Sequence, residues 1–152
     1  MSQVKRLARY LLEVPEGVIR FGSEGTKLDK ILVYVDSDWA GCIKTARSTS
    51  GGIVCLGEHV IKSYCRQQKV VALSSAEAEL YAMVAASAES LAVQAYARDL
   101  GMELTSELYS DSSAALGIAK RAGIGKVRHL RTQGLWIQEV RSTGRISYKK
   151  IP

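Results

Sequence analysis

A chain of 152 residues that is 47% hydrophobic, 24% charged and holds two prolines describes one compact domain with a sizeable core, and disfavours a disordered or multi-domain chain. Its most apolar run, residues 80–97, is broken by Ser87, Glu89, Ser90 and Gln94, short of the roughly 18 to 20 apolar residues of a membrane span; the N-terminus has no apolar stretch or cleavage site of a secretory signal. The expected protein is therefore intracellular, cytoplasmic or nuclear, with no membrane partner. The net charge of +6 is unevenly placed: residues 119–152 carry nine basic residues against one acid, a balance of +8, which leaves the first 118 at −2. A basic third on a slightly acidic body suits a polyanion bound on one side.

Val4, Leu7, Leu11 and Leu12 recur at helical spacing, and Pro15 with Gly17 ends the pattern, which predicts a short amphipathic helix. Residues 17–22 and 30–38 read as two strands around a turn rich in Gly, Ser and Asp, the second the stronger. The segment 48–64 holds two β-branched runs divided by Gly57 and Glu58, the pattern of a hairpin. Ser74 followed by Glu77 forms a capping box, each side chain expected to satisfy the other's free backbone donor, ahead of a helix over about 75–99 that Gly101 ends. Residues 107–111 predict a short strand, Ser112 and Ser113 cap a helix beginning at 113, and Gly123 and Gly125 make a loop. Leu130, Leu135, Trp136 and Val140 place a last helix before Gly144, and residues 145–152 a final strand. Three hairpin-linked strands followed by strands that return through helices imply an α/β domain, a mixed sheet covered by helices. Cys42, Cys55 and Cys65 form no C-x-x-C and read as reduced thiols, and two histidines are too few for most zinc frameworks.

Three acids lie on separate elements that a sheet can bring together. Asp36 follows the apolar run 31–35, Asp111 ends a strand just before a helix, and Glu79 edges the apolar stripe of the long helix. Carboxylates gathered without histidine or cysteine favour Mg²⁺ or Mn²⁺. Two such ions, roughly 3.5 to 4 Å apart, activate a water and stabilise the leaving oxygen of a phosphodiester. Each acid also has a plainer reading, Asp36 in a turn and Asp111 as a helix cap. Asp38 shares Asp36's face of the strand, so periodicity leaves the two open, and Glu77 already has a structural role in the capping box.

The series YVDSDWAG, RSTSGG, VALSSAEAELYA, YSDSSAALGIA and RHLRTQGLWIQE resembles the ribonuclease H domain of copia-type retrotransposon polyproteins over nearly the whole chain. The resemblance implies a ribonuclease H-like fold, three antiparallel strands with parallel additions. It further implies that Asp36, Glu79 and Asp111 hold two Mg²⁺ (or Mn²⁺) ions, that Asp38 belongs to the Asp-Trp-Ala-Gly signature, and that a metal-bound water attacks the RNA strand of an RNA/DNA hybrid, leaving a 5′-phosphate and a 3′-hydroxyl. By the same resemblance residues 1–22 correspond to a connecting segment at the end of a reverse-transcriptase region, a partner in the same polyprotein. Residues 23–152 would then be the ribonuclease H-like domain without the family's terminal helix, which carries a fourth acid. Arg131 stands where the family has an acid after the histidine. An alternative expectation is a catalytically weak or inactive hybrid-binding module derived from such a domain.

The basic residues Lys120, Arg121, Lys126, Arg128 and Arg131 flank the glycine loop and suit phosphates, giving salt-dependent binding without sequence readout. Contacts to 2′-hydroxyls distinguish RNA, and the turn of Ser48, Thr49 and Ser50 together with Ser75, near the metal acids by resemblance, are candidates for them. Their plainer readings are a hairpin turn and a helix N-terminus. Trp39 and Trp136 suit stacking on nucleotides, although a tryptophan on an apolar helix face is more often core. His129 reads as a helix-start residue with a local hydrogen bond ahead of a general base, and GIGK at 123–126 lacks the spacing of a phosphate-binding loop.

Overall fold

The structure, a computed structural model, describes residues 2–18, 21–22, 28–123, 125 and 128–151, with residues 2, 3 and 128 described by backbone alone. In chain order they form α1 (Ser2–Glu13), β1 (Lys30–Asp38), β2 (Thr49–Leu56), β3 (His59–Gln67), α2 (Ser75–Asp99), β4 (Thr105–Ser110), α3 (Ser113–Lys120), a 3₁₀ turn (Arg128–Leu130), α4 (Arg131–Ser142) and β5 (Ile146–Lys150). The strands make one five-stranded sheet in the order β3-β2-β1-β4-β5. The β1–β2 and β2–β3 pairs are antiparallel, and β1–β4 and β4–β5 are parallel, so the mixed sheet expected from the sequence is the one formed.

Period-two alternation in β1 drives Ile31, Val33 and Val35 into the core, where they meet Leu80, Met83 and Ala86 of α2 together with Leu108, Ile137 and Ile146. Each fully buried Leu, Ile or Met side chain contributes about 1.5–3 kcal/mol, and the alanines at 78, 82 and 86 of α2 are all buried. Two serines buried on α2 are satisfied. Ser87 Oγ donates to Met83 O at 2.7 Å and bonds the Tyr148 hydroxyl at 2.9 Å, and Ser90 pairs with Ser106. The opposite face of β1 and β2 is open: Tyr34 and Ile53, cross-strand neighbours, stay 39% and 44% exposed.

One expectation is corrected and two are refined. Of the predicted strand over 17–22, residues 17, 18, 21 and 22 take no strand conformation, and residues 19 and 20 lie outside the described set. In α4 the buried residues are Gly134, Ile137 and Val140, spaced three apart so that they share a face. Leu130 sits just ahead of the helix and Leu135 turns outward, 42% exposed. The amphipathic helix α1 forms as expected, but Val4, Leu7, Leu11 and Leu12 are all more than half exposed. Among the described residues no helix is long and apolar enough to cross a membrane, and Cys42, Cys55 and Cys65 are free thiols.

Candidate metal centre

β1 and β4 run parallel with Tyr34 opposite Tyr109. Two residues further on, Asp36 lies near the C-terminal end of β1 and Asp111 just past that of β4, the place where open α/β sheets bind ligands. Glu79 arrives from the first turns of α2, whose start is set by the Ser74 hydroxyl accepting the Glu77 N–H at 3.2 Å. The three side chains each present an oxygen within 4.8 Å of the others.

Glu79 is the buried member, 9% exposed, while Asp36 and Asp111 are open to solvent. Its Oε1 accepts the Ser37 N–H at 3.2 Å and the Ser37 hydroxyl at 2.7 Å. Its Oε2 is buried without a hydrogen-bond partner. Burial pushes the Glu79 carboxyl above the usual carboxylate range, and the charges of Asp36 and Asp111 push the same way, against the Ser37 hydrogen bonds. An unpartnered buried carboxylate oxygen beside two more carboxylates is costly. The donor set, oxygen alone, fits a hard divalent cation such as Mg²⁺ or Mn²⁺.

Asp38, left open against Asp36 by periodicity, is committed elsewhere. Its Oδ1 accepts the Gly41 N–H at 2.8 Å, and it closes the turn after β1 in which Ala40 takes φ 55°. Any side chain at 41 would collide with it, a Cβ lying 1.9 Å from Asp38 Oδ2. Glu77 forms only half of the expected capping box. Its carboxylate accepts the Leu73 N–H at 3.0 Å and the Tyr81 hydroxyl at 3.1 Å, and meets His129 Nε2 at 3.2 Å; donors one turn up the helix and across the fold draw it away from Ser74. His129 therefore makes a long-range contact where a local one was expected, tying the 3₁₀ turn to the start of α2.

The basic and hydroxyl candidates divide by exposure. Ser48 is fully buried, its Oγ accepting the Ala40 N–H at 3.0 Å, so it offers no exposed atom. Thr49 is half-buried at the start of β2, and Ser75 is exposed as the first residue of α2. Lys120, Arg121 and Arg131 are exposed at the end of α3, just beyond it, and at the start of α4. Lys126 lies outside the described residues, as does the Arg128 side chain. Trp136 packs against the core; Trp39 is 53% exposed and donates its Nε1–H to Ala72 O at 3.1 Å. The reading from sequence missed Ser37, which was findable, since it shares the inward face with Val35.

No protein-family model matches the chain. It is 36% identical over 117 residues to the Retrovirus-related Pol polyprotein from transposon RE1 of Arabidopsis thaliana, covering 76% of this chain and 8% of that one. Against the Pol polyprotein from transposon TNT 1-94 of Nicotiana tabacum it is 29% identical over 140 residues, covering 90% of this chain and 10% of the relative. The chain thus spans no more than about a tenth of the length of these curated relatives. Among solved structures, an RNase H1 isolated from compost by a metagenomic approach has TM-score 0.61 at 16% identity, with 82% of this chain and 85% of that chain covered. A structure of the same enzyme in complex with RNA/DNA hybrid has TM-score 0.56 at 17% identity, covering 81% and 86%. By its fold the chain is a ribonuclease H-like domain, and by its sequence it is related to the Pol polyproteins of copia-type retrotransposons.

Proposed function

We propose that the chain is a divalent-metal-dependent endoribonuclease that cuts the RNA strand of RNA/DNA hybrids within a retrotransposon's reverse-transcription machinery. The observation that carries this reading is the carboxylate triangle of Asp36, Glu79 and Asp111, oxygens within 4.8 Å of one another, with Glu79 Oε2 buried and unpartnered. These three residues would hold two Mg²⁺ or Mn²⁺ ions, which when bound supply an activated water and stabilise the leaving oxygen. Ser37 fixes the orientation of Glu79 through two hydrogen bonds. Exposed Lys120, Arg121 and Arg131, with Lys126 and Arg128, neutralise phosphates, while Thr49 and Ser75 meet the RNA sugar edge. The hybrid in the compost enzyme's complex supports the substrate class. The Pol polyproteins among the relatives support a reverse-transcriptase region as partner, with residues 1–22 as the connection to it.

The test is cleavage of a labelled RNA/DNA hybrid in Mg²⁺ and in Mn²⁺, beside duplex DNA. Cutting confined to the hybrid and abolished by chelation is the expected result. Asp36→Asn and Asp111→Asn should each retain hybrid binding yet cut below about a hundredth of the wild-type rate, a loss of about 3 kcal/mol of transition-state stabilisation. A variant that cuts at the wild-type rate removes that residue from the mechanism. Salt-sensitive hybrid binding without any cutting favours the second reading, a binding module.

A further inference from the structure

Gln68 follows β3 directly and is 8% exposed. Its backbone N–H donates to Ser48 O at 2.7 Å. Its side-chain Nε2 donates twice, to Ser50 Oγ and to Ala78 O, both at 2.9 Å. Ala78 immediately precedes Glu79, and its own N–H makes an opening bond of α2 to Ser74 O at 3.1 Å. Ser50 in turn stands opposite Ser37 in the β1–β2 ladder, and Ser37 grips Glu79 Oε1. The contacts close a circuit that runs from Gln68 to Ala78 and Glu79, across to Ser37, on to Ser50 and back to Gln68.

From this circuit we propose that Gln68 is a positioning residue for Glu79, clamping the first turn of α2 to the start of β2 so that the glutamate meets Asp36 and Asp111 at ligating distance. The inference rests on the metal-dependent reading of the site. A helical carbonyl ordinarily takes one hydrogen bond from the N–H four residues on. Ala78 O receives the Gln68 amide besides, a donor from outside the helix that fixes where the helix sits along the strand. Gln68 leaves its Oε1 buried and without a partner. An apolar side chain would fill this space without an unsatisfied acceptor, so the two donated bonds are what distinguish a glutamine here. Groups that orient metal ligands from behind typically change metal affinity by about 10–100-fold when removed, because a ligating constellation tolerates only about 0.5 Å of displacement.

The experiment is calorimetric titration of Mn²⁺ into the whole chain and into Gln68→Met, a variant of similar length with no donor, with thermal unfolding and hybrid binding in chelator measured alongside. The expected result is a Kd for Mn²⁺ weakened at least about tenfold, with hybrid binding in chelator unchanged and cleavage shifted to higher metal concentration. Wild-type Mn²⁺ affinity in a folded Gln68→Met overturns the positioning role while leaving the metal site standing. A wild-type chain that binds no Mn²⁺ overturns the metal reading and this inference with it. Should Gln68→Met fail to fold, Ser50→Ala takes its place. It removes the β2 end of the circuit and should weaken Mn²⁺ binding in the same direction, and an unchanged Kd there overturns the proposal.

Discussion

A carboxylate taken out of water and set beside two others is unfavourable until something positive joins them, and Glu79 is held in that condition by Ser37 on one oxygen and by burial on the other. Tyr64 is a second residue kept at a cost. Its ring lies over Gly52, where a Cβ would meet the ring at 2.5 Å, which accounts for the second glycine of the Ser-Gly-Gly run. Its hydroxyl is buried without a partner, and burial, reinforced by the charge of Glu89, pushes its ionisation up to about 12. An unsatisfied buried polar group costs about 1–3 kcal/mol, and phenylalanine keeps the ring while removing the group. Tyr64→Phe is therefore expected to stabilise the fold by about 1 kcal/mol, seen as a higher urea midpoint at unchanged slope. A lower midpoint would mean that the hydroxyl has a partner, such as a bound water.

Among the elements, the parallel half of the sheet is cross-linked at its surface. Glu107 on β4 receives Lys149 of β5 at 2.8 Å, Lys30 of β1 at 3.2 Å and the Tyr109 hydroxyl at 2.7 Å. Lys149 foremost, then Tyr109 and Lys30, holds its carboxyl down at about 2 against an ordinary 4.5. A depressed carboxylate adds stability above its unfolded value, and that stability is lost as pH falls from about 4.5 towards 2. Glu107→Gln should accordingly shallow the decline in stability across that window in acid-unfolding curves; a decline as steep as wild type would assign it to other carboxylates. The same strands show what a sequence makes legible. The alternation of β1, the Ser74 cap, the alanine-rich run of α2 and the left-handed glycines at 101 and 144 are local signals, and the structure follows them. Periodicity leaves Asp36 and Asp38 open because residues two apart share a face; the turn that engages Asp38 agrees with the resemblance in setting it apart. Spacing counts Leu135 among the apolar positions of α4, yet it turns outward while Ile137 is buried, because the helix phase depends on where α4 begins. Gln68 acquires its role from partners 18 and 10 residues away, which no spacing rule reaches.

The charge asymmetry belongs to the molecule as a whole. The last 34 residues carry +8 and the remainder −2, so the basic charge is concentrated in one stretch of the chain. The basic segment is also anchored: His129 reaches Glu77 at the start of α2, and Arg141 Nη1 donates to the Lys120 carbonyl at 3.3 Å, tying α4 to the end of α3. On the proposed reading, exposed cations of this segment such as Lys120 and Arg131 neutralise phosphates without reading bases, and each phosphate neutralised releases counterions. Binding of a hybrid, measured in chelator so that cleavage does not intervene, should then fall linearly in log K against log salt. Lys120→Gln and Arg131→Gln, both at exposed positions, should each reduce the magnitude of that slope by about 1 while weakening binding alike across sequences. Because neither side chain belongs to the core, their thermal unfolding should match wild type. A slope untouched by both substitutions would place the phosphates on another surface, and sequence-dependent losses would mean that one of these cations reads a base.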